Sequence, residues 1–528
     1  MAESVRDRVW EYLAATGTSV VFGNPGSTEL PFFADWPERV RWVMALQEAS
    51  AVAMADGYAQ ATGRPSLVTL HSAAGLGNGL CSVYTAFRNR SPVVVLAGQQ
   101  VRSMHPTDPY LYAEQSTVFP RPYVKWAIEP ARAQDVPLAF ARALHTAAQR
   151  PAGPVFLSVP MDDWDTPAPA VPLRTVGDRF AAGDGELADV AQRLSTARSP
   201  VLVVGSEVER EGATALAIEL AERTGAAVWV SPHINRTSFP EEHPCFRGQL
   251  QPTRKLIREA LKDADLVVVL GAPVFVYHVP SDGPCVPQGT ELFQLSEDPA
   301  VLARADTGTG IRTSLREGIA GLLGQLPEHP DGPLPEPVPR PAPELTAPMR
   351  GEYVLRLLGG VLPPDTVIVE EAPTFREVRW RHMPVRQGGD YYNAASGGLG
   401  WGLPASVGIA LADPSRPVVC LLGDGSAQYS IQALWTAAQL GLRLIVIVLN
   451  NGEYAAMKDL SLTFGAHHPP SYDLPGIDIT HHAQGYGCTG LRAEGPDSVV
   501  EAARTALATQ TTTVIDIPID PRTTALYT

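Results

Sequence analysis

An acidic residue stands between two glycines at the end of a strongly apolar segment, in the stretch VVCLLGDGS. The run from Val418 to Leu422 predicts a buried strand, so Asp424 should lie where that strand ends. Further along the chain, the apolar run RLIVIVL ends at the pair Asn450 and Asn451. A carboxylate and an amide oxygen are ligands that suit a hard cation such as Mg²⁺. The spacing therefore predicts a cation site formed by Asp424 and Asn451.

The segment between these two runs must bring the acid and the amide together. From Ile431 to Ala438 the apolar residues recur at the spacing of one helix face, and Gly441 is expected to end that helix. A strand, a helix and a second strand in this order form a unit with parallel strands. Asp424 and Asn451 should then share the carboxyl edge of a sheet, where open α/β sheets bind ligands. Glycines that let a phosphate approach, and a nearby helix N-terminus, favour Mg²⁺ bridging a diphosphate.

A simpler interpretation of this motif is that Asp424 is a turn residue that caps a helix at Ser426. The asparagine pair one crossover later favours the cation site instead, because motif and predicted context agree. The sequence has no GxGxxG motif after a predicted strand and no GxxxxGK[ST] motif. Dinucleotide and P-loop sites are therefore disfavoured.

Four further residues could carry chemistry, although each also has an ordinary structural interpretation. Glu48 follows the apolar run RWVMAL at a predicted helix start, where the helix dipole alone favours a glutamate. Ser27, in FGNPGSTELPF, would serve as a helix cap. His71, in TLHSAAGLGNGL, ends a predicted strand before a predicted glycine-rich loop, and His278, in GAPVFVYHVPSDG, follows another strand.

The composition is that of a globular protein with large cores. The chain has 528 residues, of which 45% are hydrophobic and 18% charged, and ~150 residues per domain predicts about three domains. The net charge of -15 disfavours nucleic-acid binding. The five cysteines have no metal-site spacing, and the longest aliphatic run is too short to span a bilayer. We expect a cytoplasmic protein that binds neither nucleic acid nor membrane.

Strand-like runs alternate with helical patterns almost throughout, which predicts α/β domains with parallel sheets. A linker-like stretch at 162–178 and a proline-rich stretch at 326–348 divide the chain. Prolines block helices and sheet ladders, so the second stretch should be an extended connector. The predicted domains are 1–165, 180–325 and 349–528, joined by the linker 326–348.

The combination of GDG and NN at this spacing resembles the binding signature of thiamine diphosphate enzymes. The motifs FGNPGS, ALQEA, LHSAAG, AGQQ, GAPVF-x-YH and GGLG are similar to the benzoylformate decarboxylase branch of the 2-oxo acid decarboxylases, over most of the chain. The resemblance implies three doubly wound parallel-sheet domains: one for the pyrimidine, a central one, and one for the diphosphate. It implies thiamine diphosphate and Mg²⁺ (or Ca²⁺) as cofactors.

The same resemblance assigns roles to individual residues. The implied activity is non-oxidative decarboxylation of an aryl 2-oxo acid through a covalent cofactor adduct, with carboligation as a side activity. Glu48 would bind the pyrimidine ring and share a proton with it, which apolar neighbours such as Met54 would favour. The implied catalytic residues are Ser27, Glu48, His71 and His278. The implied metal ligands are Asp424, Asn451 and the main chain of Glu453. The implied cofactor contacts are Glu48, Leu399, Gly423, Asp424, Gly425, Ser426, Asn451 and Tyr454, and the implied substrate pocket is Ser27, Ala456, Met457 and Leu460.

The resemblance also implies how the chain assembles. Glu48 and Asp424 fall in different predicted domains, and in the family the cofactor bridges such domains from two subunits. We therefore expect a homodimer with shared active sites, assembled into a homotetramer around two-fold axes. The expected small-molecule partner is a 2-oxo acid.

Some residues depart from the family pattern, and other functions stay open. Pro373 replaces a small hydroxyl residue near the cofactor, while Met457 and Leu460 replace leucine and phenylalanine in the pocket helix. The alternatives are an acetolactate synthase-like carboligase, which commonly carries FAD in the middle domain, and a non-catalytic cofactor-binding paralogue. A pyruvate decarboxylase-like enzyme is disfavoured, because the loop that should carry two adjacent histidines has only His105.

Overall fold

The chain forms three sheets of six strands each, and every strand pairing within them is parallel. The computed structural model describes residues 3–327, 334–466 and 469–521. Within these ranges no helix has the length and apolar character needed to cross a membrane. The predicted fold class, three doubly wound parallel-sheet α/β domains, is confirmed. The sheets are built from continuous apolar runs because helices cover both of their faces.

The first sheet has the order β2-β1-β3-β4-β6-β5. Its strands are β1 (Val20–Gly23), β2 (Arg41–Met44), β3 (Ser66–Leu70), β4 (Val93–Gln99), β5 (Ala127–Ile128) and β6 (Val155–Pro160). Its α-helices are α1 (Val5–Ala15), α2 (Leu30–Phe33), α3 (Glu48–Thr62), α4 (Ser72–Asn89) and α5 (Val136–Ala148). Short 3₁₀ helices cover Ser27–Glu29, Arg102–Thr107 and Ala133–Asp135.

The middle sheet has the order β12-β11-β10-β7-β8-β9. Its strands are β7 (Pro200–Val204), β8 (Ala227–Val230), β9 (Phe246–Gln249), β10 (Leu266–Leu270), β11 (Glu291–Ser296) and β12 (Thr309–Arg312). Its helices are α6 (Asp184–Thr196), α7 (Ser206–Arg210), α8 (Thr214–Thr224), α9 (Arg254–Ala260), α10 (Pro299–Leu302) and α11 (Leu315–Leu323).

The last sheet has the order β14-β13-β15-β16-β18-β17. Its strands are β13 (Val367–Glu371), β14 (Tyr391–Asn393), β15 (Val418–Gly423), β16 (Leu444–Asn450), β17 (Thr489–Arg492) and β18 (Thr513–Pro518). Its helices are α12 (Gly351–Val361), α13 (Arg376–His382), α14 (Gly402–Ala412), α15 (Asp424–Ala427), α16 (Ala433–Gln439), α17 (Ala455–Thr463), α18 (Ile479–Gly485) and α19 (Pro496–Ala508).

The segment after His71 is a helix, so the expectation of a glycine-rich loop there is wrong. Helix α4 runs for 18 residues through the glycines of SAAGLGNG. A Cβ on Gly79 would lie 3.1 Å from Leu70 Cδ1, and one on Gly75 would lie 3.3 Å from Glu48 Oε1. These glycines therefore let the helix pack closely on its neighbours, which outweighs the cost of glycine inside a helix.

Residues 168–183 and 334–346 form neither helix nor strand. They fall near the predicted domain junctions, but the boundaries 1–165, 180–325 and 349–528 stay a prediction. Residues 328–333 of the predicted linker lie outside the described residues.

The first and last domains meet where α3 crosses α14. A Cβ on Gly408 would overlap the carbonyl oxygen of Met54, and one on Gly57 would lie 2.8 Å from Ala405 Cα. The buried carboxylate of Asp56 accepts hydrogen bonds there, including one of 2.7 Å from Trp401 Nε1. Glycines on both helices therefore allow the two backbones to touch. The hydrogen bond between Asp56 and Trp401 stabilises this contact.

Replacing Gly408 with alanine should push α3 and α14 apart, because the new Cβ would meet backbone atoms. Overpacking of this kind costs roughly 1–3 kcal/mol, so calorimetry should give a lower Tm than for the native protein. Gly360→Ala in α12 is the matched control, since nothing lies within 4 Å of its new Cβ. An unchanged Tm for Gly408→Ala would contradict the tight crossing.

Candidate active site

The predicted acid and amide lie side by side at the carboxyl edge of the last sheet. Strands β15 and β16 run parallel, with Gly423 opposite Leu449. Asp424 follows the first strand and Asn451 follows the second. The helix between them is shorter than its apolar pattern predicts, because turns occupy residues 428–432 before α16.

Asp424 is a buried acid, only 3% exposed. Burial raises the pKa of Asp424 to about 6, although backbone N–H groups, including those of Gly425 and Gly452, oppose that shift. No ion pair to Asp424 is found among the described residues. A buried carboxylate with only backbone donors is a site where a divalent cation would be strongly stabilising.

The two asparagines after β16 have different surroundings. The Asn450 amide donates to Asp516 at 2.9 Å, which ties it to the neighbouring strand β18. Asn451 lines the cavity described below, and its side-chain oxygen accepts from the Glu453 N–H at 3.3 Å. The Glu453 side chain pairs with Lys458 instead. Asn451, and not Asn450, therefore lines the same cavity as Asp424 and could hold a metal ion with it, and Glu453 could contribute its main chain.

The two glycines that flank Asp424 differ in how much space surrounds them. A Cβ on Gly425 would lie 2.9 Å from Tyr454 Cδ1, so this position must be small for the tyrosine ring to pack there. A Cβ on Gly423 would meet only Ser426 Oγ, at 3.7 Å. Packing within the chain therefore explains why residue 425 is glycine, but it does not explain why residue 423 is.

One cavity of about 490 Å³ collects most of the predicted site residues. This volume falls in the range of small-molecule and cofactor sites. Pro373 also lines it, at the position that departs from the family pattern. The predicted residues that line it are His278, Leu399, Gly423, Asp424, Gly425, Ser426, Asn451, Glu453, Tyr454, Ala456, Met457 and Leu460.

Leu399 is held in this cavity by a residue that the sequence analysis did not single out. The buried carboxylate of Glu371, at the end of β13, accepts backbone N–H bonds of 2.7, 2.8 and 2.6 Å from residues 400, 401 and 402. Burial raises the pKa of Glu371 to about 7. The signal was present in the sequence, because TVIVEE also ends a strand of this sheet with acids.

Ser27, Glu48 and His71 do not line the cavity of their own chain. They cluster at the carboxyl edge of the first sheet. A Cβ on Gly26 would lie 2.6 Å from His71 Cε1, so the loop that carries Ser27 packs against the histidine ring. Glu48 begins α3, and its Oε2 accepts from the Asn78 amide at 3.1 Å. Ser27 starts a 3₁₀ helix and Gly26 is the cap, so the simple capping role does not apply.

Glu29 is the second residue that the sequence analysis missed. Its side chain is 1% exposed, and Oε2 lies 3.0 Å from His71 Nδ1. The other oxygen accepts from the Gly98 N–H at 2.8 Å. The hydrogen bond to Glu29, helped by the negative charges of Glu29 and Glu48, raises the pKa of His71 although burial opposes it. The sequence GSTEL contains Glu29, but no pattern in the sequence indicates that this residue lies close to His71.

Family models match all three domains of the chain. The N-terminal TPP binding domain of thiamine pyrophosphate enzymes matches residues 3–116, and the central domain matches residues 187–322. The C-terminal TPP binding domain matches residues 375–517. Together these matches cover most of the chain in the order expected for the family.

Individual relatives match over nearly their whole length. The benzoylformate decarboxylase of Pseudomonas aeruginosa is 41% identical over 523 residues, 98% of this chain and 99% of that protein. The crystal structure of benzoylformate decarboxylase from Polynucleobacter necessarius is 38% identical with a TM-score of 0.97, over 99% of this chain and 100% of that one. The 4-hydroxybenzoylformate decarboxylase of Rhodococcus jostii RHA1 is 38% identical with a TM-score of 0.95, over 98% and 99% of the two chains.

These matches bear out the resemblance of the sequence motifs. They also agree with the three six-stranded parallel sheets. The chain belongs to the thiamine pyrophosphate enzyme family and, within it, to the carboxy-lyases similar to benzoylformate decarboxylase.

Proposed function

We propose that this protein decarboxylates an aryl 2-oxo acid of the benzoylformate type, using thiamine diphosphate and Mg²⁺ (or Ca²⁺). The proposal rests mainly on the cavity of about 490 Å³, in which most of the predicted site residues meet. It combines the buried acid Asp424, the amide of Asn451, the turn of Leu399 and the pocket helix α17. The relatives named above support the same substrate class.

The residues of the cavity fit the cofactor and its metal. The carboxylate of Asp424 is buried, and its hydrogen-bond donors are backbone N–H groups. A bound Mg²⁺ would therefore offset the free-energy cost of its burial. Asn451 and the main chain of Glu453 would complete the protein ligands, with Gly423, Gly425, Ser426 and Tyr454 beside the diphosphate. Leu399 would support the cofactor from the turn that Glu371 holds.

The chain's own groups would bind, orient and move protons. Thiamine diphosphate, when bound, supplies the nucleophilic carbon and the electron sink. Ser27 would donate its hydroxyl to the substrate carboxylate. With Nδ1 of His71 held by Glu29, the other ring nitrogen would exchange a proton with the substrate, and His278 would do so from the middle domain.

We infer that each active site is shared between two copies of the chain. Glu48, Ser27 and His71 lie outside the cavity that contains Asp424, so a second copy would bring the two halves together. Large apolar side chains are exposed in the first and last domains, including Tyr110 (85%) and Phe464 (58%). We propose a homodimer, assembled into a homotetramer.

The pocket helix favours an aryl group over a methyl group. Ala456 is small and leaves room, while Met457 is 45% exposed and flexible enough to fit an aromatic edge. Leu460 in place of an aromatic residue removes a ring-stacking partner and enlarges the slot. Pyruvate would leave this slot unfilled.

The alternatives receive less support. The middle-domain cavity has about 150 Å³, below the range of ordinary small-ligand sites, which disfavours the flavin of an acetolactate synthase-like enzyme. A non-catalytic paralogue is disfavoured because the cavity retains its acid, amide and histidine. Carboligation as a side activity and a cytoplasmic location stay predictions.

Two inactive variants should complement each other if the sites are shared. Asp424→Ala should lose cofactor and Mg²⁺ binding by calorimetry, while Glu48→Gln should bind cofactor but turn over poorly. Mixed dimers would contain one intact site, so refolding an equal mixture should recover about a quarter of native activity. Each variant refolded alone is the control. No recovery in mixed dimers that do form would contradict sharing.

Glu29→Gln should lower the pKa of His71, because a neutral amide no longer favours the imidazolium. At pH values between the native and variant pKa of His71, the variant ring should have lost its proton. Imidazole NMR should record this shift, and the matching limb of the kcat profile should move to lower pH. Glu38→Gln, at an exposed site of the same domain, should change neither.

The substrate order should be benzoylformate and 4-hydroxybenzoylformate well above pyruvate in kcat/KM. Leu460→Phe should restore a stacking contact worth ~0.5–1.5 kcal/mol and favour benzoylformate over the longer phenylpyruvate. Leu462→Phe is the matched control on the same helix, since Leu462 is 69% exposed and does not line the cavity. A preference for pyruvate would contradict the aryl slot.

A further inference from the structure

His233 has an unusual backbone conformation beside the candidate active site. It lies in the loop after β8, with a φ of +52°. This left-handed region is uncommon for residues other than glycine, because the Cβ crowds the backbone. If the position served only to turn the chain, glycine would adopt the same φ without that strain.

The ring of His233 packs against the ring of His278. Their centroids lie 5.8 Å apart with an interplanar angle of 74°, an edge-to-face arrangement. Such pairs hold two rings in a defined mutual orientation. His278 comes from the loop after β10, and its own N–H donates to the Pro252 carbonyl at 2.8 Å. Two loops of the middle domain therefore meet through these two histidines.

His233 also forms part of the wall between two cavities. It lines both the cavity that contains Asp424 and the smaller one at the carboxyl edge of the middle sheet. Without its ring, the two spaces would be less well separated on the side where His278 lies. His278 lines the first of these cavities but not the second.

His233 is a neutral neighbour at physiological pH. Burial, together with the positive charges of Arg376 and His278, lowers the pKa of His233 to about 4. A neutral ring in edge-to-face contact can pack against His278 whether or not His278 carries a proton. The contact should therefore persist throughout a proton-transfer cycle.

From the strained backbone, the ring contact and the shared wall, we propose that His233 is a positioning residue that orients the His278 ring toward the cofactor cavity. This inference rests on the proposed function, in which His278 exchanges a proton with the substrate. Substitution of His233 should therefore change the orientation and titration of His278, and turnover through it.

The test compares variants with and without a ring at this position. His233→Gly relieves the left-handed strain and removes the ring, and His233→Asn also tolerates the conformation without a ring. His233→Phe keeps a ring face. Asp35→Gly is the control for strain relief at an exposed residue with the same φ of 52°, where the substitution also removes an ion pair to Arg6. Each holoenzyme would be measured for Tm, for the pH profile of kcat with benzoylformate, and for the imidazole NMR titration of His278.

The expected result separates stability from catalysis. His233→Gly and His233→Asn should keep or raise the native Tm, yet lose roughly 10- to 100-fold in kcat, as a misplaced catalytic group does, and the His278 titration should shift. His233→Phe, where it folds, should stay near native in kcat. Native kcat and an unshifted His278 titration in the glycine and asparagine variants would overturn the inference.

Failure of the proposed function would look different. In that case the native protein would not convert benzoylformate, while the NMR titration of His278 would still respond to loss of the His233 ring. An inactive native protein with an unshifted His278 titration in the variants would reject both proposals.

Discussion

The close crossing of α3 and α14 is the contact on which the site geometry depends. Glu48 is the first residue of α3, and the turn that carries Leu399 leads directly into α14. Any displacement of one helix along the other would move these residues relative to each other. Glycine at 57 and 408 fixes the depth of the crossing, and the hydrogen bond between Asp56 and Trp401 fixes its register.

If two copies share their sites, this crossing lies between two active centres instead of within one. The Glu48 end of α3 would serve one cofactor, while the Leu399 end of α14 would serve the other. The stiffness of a packed interior transmits small displacements, so the crossing would connect the two sites mechanically. Backbone contacts at Gly57 and Gly408 and the buried acid Asp56 impose this constraint.

The parts of the molecule that the sequence predicted are those with local causes. Continuous apolar runs predicted the central strands, and the order of strand, helix and strand predicted that Asp424 and Asn451 share an edge. The helical state of the segment after His71 was missed because its glycines favour a loop locally, while their packing partner Leu70 acts through tertiary structure. The separation of Glu48 from the cavity also depends on packing between domains, which no local pattern encodes.

Three buried acids near strand ends show why the candidate site could be predicted only in part. Glu371 is satisfied by three backbone N–H groups of one turn, and Glu29 by a backbone N–H and the ring of His71. Both acids therefore have their partners within the chain, and those partners are distant in sequence. Asp424 has backbone donors but no ion pair among the described residues, so its carboxylate would be free to bind the cation that we propose. The proposed partner follows from general metal chemistry and strand order, which made Asp424 the easiest of the three acids to recognise from sequence.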